Sequence, residues 1–256
     1  FFMDQYGNFA YIYDQLMDDV DYEAWVEHIE KLIAISGANV KNILELACGT
    51  GNITLPLARK EYDIAGLDIS EEMLDVAREK SELENIPLVL LQQDMTQLDF
   101  DLYDLDCILC ACDGINYITD LEDVKNLFGK VYELLKKEGI FIFDISSYYK
   151  LSSILGNNFM GEARDDISYM WTNYYDDMTQ LLNMDLDFFV KVQAEDDDED
   201  NLYERYKEVH LQRAHKEEEL AAILEEAGFK DIRMFGDFSL EDVDKKSERV
   251  FFLAKK

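Results

Sequence analysis

Five short and nearly continuous apolar runs punctuate the first 145 residues, and a helix-patterned stretch separates most of them from the next. They read "NILELA" (42–47), "YDIAGLD" (62–68), "PLVLLQQD" (87–94), "LDCILCA" (105–111) and "IFIFDI" (140–145). A strand with one solvated face alternates polar and apolar residues, whereas a run without alternation must be covered on both faces. Strands of this kind separated by helices specify a parallel sheet between two helical layers, the doubly wound α/β class. The helix signals agree. Tyr22, Trp25, Val26, Ile29, Leu32 and Ile33 recur at helical spacing before a Gly37 stop. Ser70 serves as an N-cap with Glu71 and Glu72 behind it, and residues 121–135 carry an amphipathic pattern that Gly139 closes.

The rhythm changes after the fifth run. From Ile167 to about Arg213 apolar residues alternate with polar ones, as in Leu182, Met184, Leu186, Phe188 and Val190. A two-residue period with no intervening helix predicts an antiparallel insertion, here 148–213, packed on a core made of 1–147 and 214–256. Its acidic run at 195–200 reads as a solvated hairpin tip, since the Gly and terminal Glu of a calcium loop are missing. A last helix ends at Gly228, and two final strands complete the main sheet as an antiparallel edge pair, giving seven strands in all.

Charge narrows the partners. There are 56 acidic residues against 24 Lys and Arg, for a formal net charge of −32. Such a surface repels phosphate backbones and anionic lipid, so nucleic acid and membrane are poor partners and a small or cationic substrate is a better one. No apolar run reaches the roughly 18 residues of a spanning helix, and the N-terminal stretch lacks a basic signal region, which makes the cytoplasm the expected location. Cys48, Cys107, Cys110 and Cys112 read as reduced thiols. Cys107 and Cys110 lie three apart on a strand, hence on opposite faces, so no metal site is expected from them.

In an open parallel sheet the ligand sits beyond the carboxyl ends of the strands, and the first strand-to-helix turn is the usual site. Gly49 and Gly51 occupy that turn. A dinucleotide fingerprint would require a third glycine at 54, where Thr54 stands. Asp68 ends the second strand, 17 residues past Gly51, and suits two ribose hydroxyls; Asp94 ends the third and suits an exocyclic amine. The set describes a pocket for an adenosine that carries no pyrophosphate.

On these residues the chain resembles the class I S-adenosylmethionine-dependent methyltransferases. "LELACGTG", "GLDISEEML", "QQDM", "CACDGINYI" and "LLKKEGIFIFDI" are similar, in order, to the five motifs of that family. "FAYIYDQLM", "DYEAWVEHI", "ERYKEVHLQR" and "SERVFFLAKK" are similar to the YqeM-type group within it. The sequence departs from the broad pattern at Ala47, where many members carry glycine.

The resemblance implies S-adenosylmethionine as cofactor and a Rossmann-like sheet of seven strands. It implies that Glu45 and the 47–49 turn (Ala47, Cys48, Gly49), with Gly51, meet the methionine end. Asp68 would then hold the ribose, with Ile69 and Met73 packing on the adenine and Asp94 and Met95 at its edge and face. Cys110 and Ala111 would line the sulfonium. Tyr13 and Tyr22 belong to a lid and stand either beside the donor or as aromatic anchors of that lid.

The candidates for the chemistry are Tyr117, which aligns with an acceptor-facing position, and His210 and Arg213 at the return of the insertion. Asp113 either orients a cationic acceptor or caps its loop. His28 reads as structural or exposed, and His215 as solvated. The expected activity is methylation of a small molecule on nitrogen or oxygen. An RNA or tRNA methyltransferase is disfavoured by the charge and by the lack of an Asn-Pro-Pro-Tyr signature. A non-catalytic donor-binding regulator is the remaining alternative, and the Thr54 substitution disfavours a dehydrogenase.

Overall fold

The structure is a computed structural model that describes residues 9–17, 20–99, 104–192 and 202–256. Its centre is a seven-stranded sheet. In chain order the strands are β1 (Asn42–Leu46), β2 (Asp63–Asp68), β3 (Val89–Gln92), β4 (Leu105–Cys110), β5 (Leu135–Ser146), β10 (Lys230–Gly236) and β11 (Arg249–Lys255). Across the sheet they run β10, β11, β5, β4, β1, β2, β3. The first five are mutually parallel, and β11 pairs antiparallel with both β5 and β10. Chain order reverses at β1, which lies between β2 and β4, and that reversal opens a crevice at their carboxyl ends.

Each face of the sheet has its own helical layer. Helix α2 (Tyr22–Ser36) starts where Asp21 accepts from the Ala24 amide at 2.9 Å and ends at Gly37, whose φ of 69° suits glycine. It packs Trp25, Ile29 and Leu32 against Ile43, Cys107, Ile142 and Phe251. On the opposite face, α5 (Leu121–Leu134) and α6 (Glu217–Ala227) cover Leu44, Ile108, Cys110, Phe141, Phe143 and Phe252. The Phe143 and Phe252 rings stack with centroids 4.5 Å apart. Each such buried side chain contributes about 1.5–3 kcal/mol from removal of its area from water. Cys107 and Cys110 fall into these two different layers, as strand alternation requires.

The remaining helices frame the crevice. They are α1 (Phe9–Leu16), α3 (Thr54–Arg59) and α4 (Glu71–Glu84), the last capped by the Ser70 hydroxyl, which accepts from the Met73 amide at 3.2 Å. Among the described residues no helix is long and apolar enough to cross a membrane.

The second sheet is antiparallel and has four strands, in the order β6 (Phe159–Glu162), β7 (Ile167–Asp176), β8 (Leu181–Val192), β9 (Leu202–Arg213). It has one inner face. Its register aligns Trp171, Leu186 and Glu208 in one row, Asn173, Met184 and His210 in the next, and Tyr175, Leu182 and Gln212 in a third. The acidic run at 195–200 lies outside the described residues.

Three sequence expectations are corrected. Helix α5 ends at Leu134, and the chain runs extended from Leu135 because Leu105 pairs with it across the sheet. Gly139 is therefore a strand residue; a Cβ there would lie 2.9 Å from the Lys136 carbonyl oxygen. Strand β3, read as covered on both faces, is an edge strand of the sheet and has no fully buried residue, with Val89 61% exposed. His215 is fully buried, not solvated, with Nε2 donating to the carbonyls of Ile115 and Ile118 at 3.2 and 3.0 Å. Burial accordingly lowers its pKa to about 4.

Candidate active site

The turn after β1 is held open by backbone conformation. Ala47, Gly49 and Gly51 all have positive φ, at 53°, 53° and 77°. For Ala47 this is a left-handed conformation that costs an L-residue about 1 kcal/mol, which explains a general preference for glycine there. A Cβ on Gly51 would meet Ala77 Cβ of α4 at 3.3 Å, so this glycine lets α4 approach the turn. Thr54, at the position of the absent third glycine, opens α3 and donates its hydroxyl to Glu45 Oε2 at 2.5 Å. Glu45 is 2% exposed, and burial pushes its carboxyl up to about 8, with Asp68 adding to the rise and Thr54 opposing it.

Asp68 locks the turn to β2. Its Oδ2 accepts from the Gly49 amide at 2.8 Å and its Oδ1 from the Ser70 amide at 2.9 Å. Burial raises its pKa, and the amides that bond it hold the rise back. Each carboxylate oxygen keeps a further lone pair for a ligand hydroxyl. Asp94 Oδ1 accepts from both the amide and the hydroxyl of Thr96 at 2.8 Å, which fixes the carboxylate at the end of β3.

A cavity of about 330 Å³ opens between these strand ends, a size within the range of small-ligand pockets. Ala47, Asp68, Ile69, Asp94, Met95 and Tyr117 line it. Ile69 is 65% exposed, an apolar wall with nothing of the protein covering it. The lining also includes Gln93, Thr96, Ile118 and Thr119, which the motif reading passed over although they adjoin Asp94 and Tyr117 in sequence. Cys48, Cys110 and Ala111 lie buried around the turn and the end of β4, and burial raises both thiol pKa values. Met73 sits on the first turn of α4, outside the cavity lining.

Helix α1 closes on the glycine turn. Asp14 Oδ1 accepts from Thr50 Oγ1 at 2.7 Å and from Asn52 Nδ2 at 2.9 Å, and Asp14 also pairs with Lys80 of α4. Tyr22 shares side-chain hydrogen bonds with Tyr13 and Asn52, and burial raises the pKa of both phenols. Tyr13, Tyr22, Cys112 and Tyr117 thus gather at one end of the site.

Beyond β4 the chain takes two successive left-handed residues, Cys112 and Asp113, with φ of 57° and 54°. Asp144 makes this possible by accepting both amides, at 2.8 and 3.0 Å. Arg249 bridges Asp113 and Asp144 and lies 4.5 Å over the Trp25 ring. Burial pushes Asp144 up to about 6 against the pull of Arg249. Asp113 Oδ2 also accepts from Gln212 at 2.9 Å, so this buried network reaches the antiparallel sheet.

Of the three candidates for the chemistry, two meet. Tyr117 Oη lies 3.1 Å from His210 Nδ1, and the rings stand edge to face at 5.8 Å. Burial lowers the His210 pKa, partly offset by Asp113. Arg213 belongs to the other face of β9, an odd number of residues from His210, and its guanidinium bonds the Thr119 carbonyl at 3.4 Å and Gln180 at 3.1 Å. Gln212 and Glu208 share the His210 face. The signal that finds them is the two-residue alternation itself, counted out from His210.

A family model described as a methyltransferase domain matches residues 43–139. The chain is 35% identical over 251 residues to the Bacillus subtilis protein named "Putative methyltransferase YqeM", covering 98% of this chain and 97% of that one. A crystal structure of an S-adenosylmethionine-dependent methyltransferase from Clostridium acetobutylicum superposes with a TM-score of 0.86 at 37% identity, over 98% of this chain and 99% of that chain. The sugar N-methyltransferase KedS8 from Streptoalloteichus shares the fold at 16% identity, with a TM-score of 0.76 over 96% and 92% of the two chains.

Proposed function

The chain belongs to the S-adenosylmethionine-dependent methyltransferases, within the group that contains YqeM, and on that premise we propose that it methylates a small-molecule acceptor on nitrogen or oxygen. When bound, S-adenosylmethionine supplies an electrophilic methyl on a sulfonium. The residues present suit it. Asp68 offers acceptors to the ribose hydroxyls, Asp94 to the adenine amine, and Ile69 and Met95 offer apolar faces to the ring. Glu45, beneath the turn, is the carboxylate for the cationic methionine amine, and Ala47, Cys48, Gly49 and Gly51 shape the backbone around it. Cys110 and Ala111 close the floor, and Tyr13 and Tyr22 the lid.

The observation that carries the acceptor reading is the Tyr117–His210 bond, which joins the donor cavity to the inner face of the antiparallel sheet. In this proposal segment 148–213 is the acceptor-covering insertion of a core formed by 1–147 and 214–256. Tyr117 and His210 face the acceptor, and Arg213 positions their loop. Such a site works chiefly by aligning two reactants and excluding water. The net charge of −32 supports a small or cationic acceptor over a nucleic acid. The likeness to a sugar N-methyltransferase points the same way.

The test is isothermal titration with S-adenosylmethionine and S-adenosylhomocysteine, followed by a methyl-transfer screen over small amines and alcohols. Binding of both ligands and transfer to a small acceptor is the expected result. Binding without any transfer would favour a donor-sensing regulator, and transfer to tRNA alone would replace the acceptor class.

A further inference from the structure

The inner face of the antiparallel sheet holds more buried polar atoms than its own contacts satisfy. Trp171 Nε1, Asn173 Oδ1 and Glu208 Oε1 are all buried without a hydrogen-bond partner. A buried unpaired polar atom is costly, and a charged one more so, so three on one face call for an occupant. All three belong to two adjacent rows set by the strand register. Glu208 and His210 stand two residues apart on β9, hence about 7 Å along one face, with Leu186 and Met184 as the apolar strip beside them. Trp171 and Asn173 flank that strip from β7. Glu208 is 4% exposed.

We propose that this face is the acceptor subsite, that the acceptor is a small amine, and that Glu208 is the residue that binds its ammonium and takes its proton. The proposal rests on the methyltransferase reading above and narrows its acceptor class. Glu208 Oε1 receives the ammonium, and Asn173 Oδ1 accepts from an acceptor hydroxyl or amine. The apolar strip of β8 and the Trp171 ring cover the carbon skeleton. His210 and Tyr117 stand between this subsite and the donor cavity, so the amine nitrogen approaches the methyl past their hydrogen bond.

The proton balance is complete. The ammonium gives one proton to the Glu208 carboxylate, and the freed lone pair forms the new nitrogen–carbon bond as the carbon–sulfur bond breaks, its electrons remaining on sulfur. Glu208 then returns its proton to water. Burial pushes the Glu208 carboxyl up to about 7, which suits a group that must both hold and release a proton near neutrality. A hydroxyl acceptor has no charge to neutralise such a buried carboxylate.

The experiment is a binding screen by saturation-transfer NMR. The probes are small primary and secondary amines, among them ethanolamine and glucosamine, each matched with its neutral hydroxyl isostere, on protein saturated with S-adenosylhomocysteine. The expected result is binding confined to the amines, weakened about tenfold or more in Glu208→Gln and partly restored in Glu208→Asp. The affinity for S-adenosylhomocysteine, measured on every variant, is expected to stay within about twofold and shows that each is folded. Equal binding of isosteres, or amine binding indifferent to Glu208→Gln, would overturn the inference while leaving the small-molecule reading in place. A protein that binds S-adenosylhomocysteine but no probe of either class overturns both.

Discussion

The hydroxyl of Tyr117 and Nδ1 of His210 are 3.1 Å apart, and this pair is where the wall of the donor cavity touches the antiparallel sheet. Tyr117→Phe removes the bond and keeps the ring. A neutral hydrogen bond contributes about 0.5–1.5 kcal/mol, so kcat/KM for the acceptor is expected to fall by up to about tenfold with donor affinity unchanged. Because burial lowers the His210 pKa, its titration followed by imidazole NMR is expected to have a midpoint below the ordinary 6.5. Above that midpoint the ring is neutral and able to accept from the phenol.

Glu45 couples proton binding to stability and, in the proposed site, to donor binding. Its carboxyl titrates near 8 in the folded chain and near 4.5 unfolded, so between those values the folded state binds the extra proton and stability falls as pH rises. His28 and His215, both lowered to about 4 by burial, act with the opposite slope, and only below pH 6.5. Between pH 7 and 9, urea denaturation is therefore expected to show a loss of roughly 1.4 kcal/mol that Glu45→Gln largely removes. A cationic amine placed beside Glu45 favours its ionised form. Calorimetry at pH 7 in buffers of differing ionisation enthalpy is accordingly expected to show proton release on S-adenosylmethionine binding, absent in Glu45→Gln.

Ala47 and Gly51 predict opposite responses in one turn. Ala47→Gly relieves a φ of 53°, and after the entropy of an added glycine in the unfolded chain the gain is about 0.5 kcal/mol. Gly51→Ala imposes a side chain at φ 77° and presses it 3.3 Å from Ala77 Cβ, at a cost of more than about 1 kcal/mol. Denaturation midpoints of the two variants are expected on either side of the wild type.

Arg249 is largely enclosed by its partners: it bonds Asp113 and Asp144 and lies over Trp25. Arg249→Met leaves two carboxylates facing each other beneath the 112–113 turn. Breaking a buried pair in this way costs about 3–5 kcal/mol, and thermal unfolding is the measurement. Adding Asp144→Asn to that variant is expected to recover part of the loss, since one of the two stranded charges is then gone.

Asp68→Ala removes the acceptor of the Gly49 and Ser70 amides together with the carboxylate proposed to hold the ribose. Hydrogen bonds to a charged group contribute about 1.5–3 kcal/mol, so donor affinity is expected to fall by about one to two orders of magnitude in a calorimetric titration.

The parts of this molecule legible in its sequence are those whose physics is local. The strands β1 and β4 and the second half of β5 are covered on both faces, so Ile43, Leu44 and Leu46, interrupted only by Glu45, or Ile108, Leu109 and Cys110, stand in apolar runs. Asp68 and Asp94 are legible because each ends such a run. Buried His215 is not legible: its two acceptors lie about a hundred residues earlier, and nothing near it in the chain announces them. Glu208 is hidden for the same reason. An acidic residue in an alternating strand reads as solvated until the strands across from it are known, and the side that its alternation faces is decided by β8 and the turn carrying Tyr117.

Asn116 has a consequence of another kind. Its side-chain amide donates to the carbonyls of Ser146 and Arg213 at 3.1 and 3.0 Å, and its oxygen accepts from the Ser146 amide at 2.9 Å. The chain thus leaves the core and comes back to it at a single side chain, after an excursion of more than sixty residues. A linker of a few residues between Ser147 and Ala214 spans that gap. On the proposed division the segment 148–213 is one cassette that such a linker can replace, and the seven-stranded sheet keeps every one of its strand pairs when it does.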